Sequence, residues 1–89
     1  MTTLFVRHQV ADYAKWRQVY DSFGDRAKQL GVSADAVYQA ADNAKDVTVT
    51  HEFKSPEAAH AFIQSSDLRK AMEQAGVVSE PTVWFANRV

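Results

Sequence analysis

Seven residues near the middle of the chain constrain the fold most. From Val47 to Phe53, Val47, Val49, His51 and Phe53 alternate with Thr48, Thr50 and Glu52. A period of two makes a strand with one buried face and one face away from that core. Ser55-Pro56-Glu57 follows at once, an N-cap serine, a proline suited to the first helical position and a first-turn acid. A half-buried strand that passes directly into a helix calls for a layered α+β arrangement.

The other segments read in the same terms. Leu4 to Val10 is a short strand, with Leu4, Val6, His8 and Val10 on one face and Phe5, Arg7 and Gln9 on the other. Asp12 offers an N-cap to a helix whose stripe is Tyr13, Trp16, Tyr20, Phe23, Ala27 and Leu30, with Gly24 loosening it midway and Gly31 ending it. Ala36 to Ala40 is a strand with Tyr38 opposite Val37 and Gln39, and Asp42-Asn43 supplies turn chemistry. The helix after Ser55 buries Ala58, Ala59, Phe62 and Ile63. Ser65-Ser66-Asp67 recaps it into a segment carrying Leu68, Ala71, Met72 and Ala75, closed by Gly76, and Thr82 to Ala86 is the last strand.

Strand, helix, strand, strand, helix, strand predicts a ferredoxin-like βαββαβ sandwich: a four-stranded antiparallel sheet with the helices on one face. The first and third strands are expected side by side at the centre and, by right-handed crossovers, parallel. With 89 residues the chain has room for one domain, residues 1–89. A net charge of −1 argues against nucleic acid, and no apolar run approaches a membrane span. A soluble cytoplasmic protein is expected, with no cysteine chemistry because cysteine is absent. The uncovered sheet face carries Phe5, Tyr38 and Trp84, which predicts a homodimer packed sheet against sheet.

The element order and the segment Val49-Thr50-His51-Glu52-Phe53-Lys54-Ser55-Pro56-Glu57-Ala58-Ala59 resemble the dimeric α/β-barrel superfamily, in its antibiotic biosynthesis monooxygenase-like branch. Phe62-Ile63-Gln64-Ser65 and Leu68 to Met72 continue the pattern. The resemblance implies a small-molecule pocket between sheet and helices. It implies a cofactor-free monooxygenase- or cyclase-like enzyme acting on a small phenolic or enolisable compound. The alternative is a non-catalytic ligand-binding or stress-related module of the same fold. Haem-degrading relatives place a histidine ligand where Met72 stands and a tryptophan where Phe62 stands, so no haem and no other cofactor is expected. RNA binding ranks third, because the open face of the third strand offers Thr48, Thr50 and Glu52 rather than aromatic stacking platforms.

His8 and His51 are the candidate catalytic pair. Parity places both on the helix-covered face, and parallel pairing would set them side by side where both helices begin. Helix N-termini there would keep the imidazoles neutral and favour an anionic oxygen. The plainer reading is two core histidines satisfied by backbone or cap groups. Trp16, Tyr20, Phe53, Phe62 and Met72 are the candidate ligand-binding residues, although helical spacing suits ordinary core as well. No third ligand accompanies the histidines, so no metal is expected. Arg7 and Glu52 are expected to form an ion pair on the open face, and His60 is expected to be exposed.

Overall fold

The computed structural model describes residues 1–89. Eight elements follow in order: β1 (Thr2–Gln9), α1 (Tyr13–Ser22), α2 (Gly24–Gln29), β2 (Ala34–Ala40), β3 (Asn43–Phe53), α3 (Pro56–Ile63), α4 (Ser66–Gln74) and β4 (Thr82–Asn87). The four strands form one sheet in the order β2-β3-β1-β4, the ferredoxin-like α+β arrangement. No helix is long and apolar enough to cross a membrane.

Local chemistry explains the boundaries. The Asp12 carboxylate accepts from the backbone N–H groups of Ala14 and Lys15, which starts α1. The hydroxyls of Ser55 and Ser65 do the same for α3 and α4, accepting from Ala58 and Leu68. The long stripe from Tyr13 to Leu30 is two helices broken at Phe23, immediately before Gly24. Gly31 has φ of 104°, a left-handed conformation that costs glycine little and other residues more, and the chain turns there toward β2. β2 and β3 begin earlier than their apolar patterns suggest, at Ala34 and Asn43, because backbone pairing continues past the last buried side chain.

One expectation is overturned. β1 and β3 are neighbours at the centre but run antiparallel, with Leu4 opposite His51, Val6 opposite Val49 and His8 opposite Val47. The reason is topological. The crossover through α1 and α2 makes β1 parallel to β2, and the β2–β3 hairpin then reverses β3 against both. Parallelism belongs to the split pair, with β3 lying between its members. The two capped helix starts, after β1 and after β3, therefore lie at opposite ends of the sheet.

The covered face of the sheet holds two groups of core residues. Leu4, Val6, Phe53, Ala59 and Phe62 pack with Ala27 and Val32 in one. Val10, Trp16, Val47, Val49 and Ala75 form the other. On the open face Phe5 and Trp84 stack with ring centroids 5.1 Å apart and planes parallel to within 1°. Trp84 is 42 % exposed and Tyr38 59 %. Arg7 does not pair with Glu52. The antiparallel register sets Glu52 against Thr3, and Arg7 instead grips its diagonal neighbour Asp46 in a two-pronged bond of 2.6 and 3.0 Å. Asn87, at the end of β4, accepts a 2.8 Å hydrogen bond from the Thr2 hydroxyl. His60 is exposed, its ring beside Phe85.

Candidate functional site

Between the two core groups, under the helices, lies a cavity of about 50 Å³. One buried water needs roughly 10–15 Å³ on such a scale, so the space suits a small ligand. Val6, His8, Val49 and His51 form its floor, α1 supplies Trp16, Val19 and Tyr20, and α4 supplies Leu68, Ala71 and Met72. Phe23, Phe62 and Ala75 complete the lining. It is almost wholly apolar, and the imidazoles are its main polar groups.

Those imidazoles are unusual. His8 is 5 % exposed and His51 7 %. Both ring nitrogens of His8 and Nδ1 of His51 are buried without a hydrogen-bond partner in the chain. Buried polar atoms are paired in the great majority of cases, so three unpaired nitrogens on two residues that line one cavity are exceptions. The backbone and cap partners that a purely structural role would supply are missing. Burial pushes His51 down to about 4, only partly opposed by the charge of Asp35. Burial also lowers His8, with Asp46 opposing. At neutral pH both rings are uncharged and can accept or donate a hydrogen bond.

The histidines share the cavity but are not side by side. His8 lies four positions along β1 from Leu4, the residue opposite His51, so they stand at the two ends of the floor with Val6 and Val49 between. Each has its own aromatic partner. His8 meets the face of Trp16 edge-on at 5.8 Å, and His51 lies 4.9 Å from Phe62 and 6.2 Å from Tyr20. Trp16 and Tyr20 stack at 5.0 Å. Of the aromatic and methionine candidates, Trp16, Tyr20, Phe62 and Met72 line the cavity. Phe53 does not: it is fully buried and packs against Phe62 at 5.3 Å within the core.

One polar residue escaped the sequence reading. The Tyr20 hydroxyl donates to the Asp35 carboxylate, and burial together with that bond raises the phenol well above its ordinary range. Asp35 lies opposite His51 in the β2–β3 ladder. A strand begun at Ala36 leaves Asp35 in a loop, so only the earlier start of β2 brings it to the site. No group of three or more His, Cys, Asp or Glu side chains gathers anywhere in the chain.

No protein-family model matches the sequence, and no curated protein matches it. Solved structures do. A Bordetella bronchiseptica protein provisionally assigned as an antibiotic biosynthesis monooxygenase superimposes with a TM-score of 0.86 at 13 % identity, covering 99 % of this chain and 96 % of that one. SnoaB, a cofactor-independent oxygenase from Streptomyces nogalater, gives 0.76 at 13 % identity, covering 99 % and 94 %. Rv0793 from Mycobacterium tuberculosis gives 0.74 at 14 %, with the same coverage.

Proposed function

We propose that this chain, which has the fold of the antibiotic biosynthesis monooxygenase-like proteins, binds a small phenolic or enolisable molecule in the cavity between sheet and helices. The observation that carries the reading is the pair of neutral, unpartnered imidazoles facing an apolar space. An apolar body fills the middle and an acidic O–H donates to a histidine. In the enzymatic form, one imidazole accepts the proton: the ligand's O–H or activated C–H bond breaks and an N–H bond forms. The resulting enolate or phenolate and the imidazolium serve as each other's counter-ion in a low-dielectric site. Each ring has one carboxylate charge that favours its protonated form, Asp35 for His51 and Asp46 for His8. The helix N-termini cannot hold the anion jointly, since they lie at opposite ends of the sheet. The second reading, binding without turnover, draws on the value near 4 for His51, which makes it a weak base until a ligand changes its surroundings.

NMR titration of the imidazoles with 1-naphthol tests the reading. Both rings should stay neutral at pH 7, and at least one should shift with ligand. His8→Ala or His51→Ala should weaken binding about tenfold, the size of one hydrogen bond in a buried site. Two rings titrating near ~6.5 and unmoved by naphthol would end the proposal. Turnover that disappears in His51→Ala separates enzyme from binding module.

The same reading includes a homodimer through the open sheet face. Phe5 and Trp84 there stack as an aromatic pair beside the Arg7–Asp46 ion pair, with Tyr38 exposed on the edge strand β2. A stable pairing of such faces should bury more than about 1,000 Å² in total. Trp84→Glu replaces the stacked indole with an unpaired carboxylate and should give monomers by light scattering at micromolar concentration. A wild-type monomer under those conditions would refute the dimer.

A further inference from the structure

The cavity is not the only hollow that touches His51. A second, of about 90 Å³, lies between α2 and β2 and is lined in part by Lys28, Ser33 and Asp35. The two hollows have three wall residues in common, Tyr20, Phe23 and His51. The inner one is lined almost wholly by apolar residues, and the outer one is half polar, with exposed Lys28, Ser33 and Asp35 at its rim. Tyr20 stands between them, and its hydroxyl hydrogen bond reaches from α1 to Asp35 on β2, an edge strand. His8 lines the inner hollow alone.

We infer that the half-polar hollow between α2 and β2 is the entrance to the cavity, with Tyr20 as its door and Asp35 as the latch. A ligand passing that way leads with its apolar end, and its polar end comes to rest at His51 beside Asp35, Ser33 and Lys28. The site therefore takes an elongated molecule, apolar at one end and hydroxyl-bearing at the other. His51, rather than His8, meets the reacting oxygen. This rests on the cavity being a ligand site, but the door itself can be tested with no ligand.

Another opening has to be distinguished. The groove between α1 and α4 also reaches Val19, Phe23 and Ala71 of the cavity wall, and Arg26 and Asp67 bridge it at 2.7 Å. Diethyl pyrocarbonate, which modifies neutral imidazole, discriminates between the two routes. At pH 7 both buried rings are neutral, so the rate of modification, read by peptide mass spectrometry, reports access alone. Exposed His60 is the internal reference. Tyr20→Phe keeps the ring and removes the donor, and Asp35→Ala removes the acceptor. Each should speed modification of His51 about fivefold, the change in open population expected from losing one ordinary hydrogen bond. The double variant should add nothing further, and His8, at the far end of the cavity floor, should gain much less. Asp67→Ala should leave His51 unchanged. Acceleration by Asp67→Ala alone, an equal rise at His8, or no change in either latch variant would each overturn the entrance. An accelerated His51 with no naphthol binding would instead leave the door standing and refute the ligand reading.

Discussion

Phe62→Ala should destabilise the chain by about 3–5 kcal/mol, the range for removing a fully buried phenylalanine. Phe62 is 1 % exposed and stands where Phe23, His51 and Phe53 meet, with ring centroids at 6.3, 4.9 and 5.3 Å. It belongs to the core and to the cavity wall at once. Two losses therefore add, the transfer of the ring out of water and the void it leaves beside space that is already open. Urea unfolding at fixed protein concentration measures the loss as a lower midpoint with an unchanged slope. The widened cavity should also take up benzene and recover part of the stability. A loss below about 1 kcal/mol would mean that α3 settles onto the sheet and closes the gap.

Acid should cost the fold about 3 kcal/mol between pH 7 and pH 4 through His51 alone. Its native value is about 4 against an ordinary 6.5, and each unit is worth ~1.4 kcal/mol. The sign follows from proton uptake. Below pH 6.5 the unfolded chain binds a proton that the native site refuses, so acid favours unfolding. The contribution is complete above pH 6.5 and is lost as pH falls toward 4. His8, lowered by burial too, acts in the same direction. Asp46, held low by its bond to Arg7, is protonated only further into acid and does not blur this window. Urea midpoints at pH 7 and pH 4 should differ clearly in the wild type and much less in His51→Gln. An equal pH response in the variant would place the acid sensitivity elsewhere.

Parity along the strands was legible in the sequence. Val47, Val49, His51 and Phe53 face the core as their alternation requires, and Trp84 faces away from it. Capping was legible too, because Asp12, Ser55 and Ser65 act through atoms two or three residues away. Direction and register were harder. They depend on how a hairpin and a crossover combine, which no single segment encodes, and the wrong direction for β3 carried the histidines to adjacent positions. Phe53 and Phe62 show another limit. Both are buried aromatics, yet only Phe62 borders empty space, and composition cannot tell a wall from a filled interior. Asp35 was hidden because a strand end with no buried side chain has no apolar signature.

The first interruption of the helical layer matches the division of the core beneath it. α1 sends Trp16 to one half and α2 sends Ala27 to the other, with Phe23 between them. α3 sends Ala59 and Phe62 to one half and α4 adds Leu68 to that same half, while Ala75, one residue past the end of α4, belongs to the other. The roof over the cavity is thus two jointed arms rather than two rods, with the elbow at Phe23 above the seam. A change in what fills the seam can be taken up by backbone rotation at Phe23 and at Gln64–Ser65, while the hydrogen-bonded ladder inside each segment is kept. For such a layer, swelling around a guest is a matter of bending at joints already present, and the sheet beneath need not move.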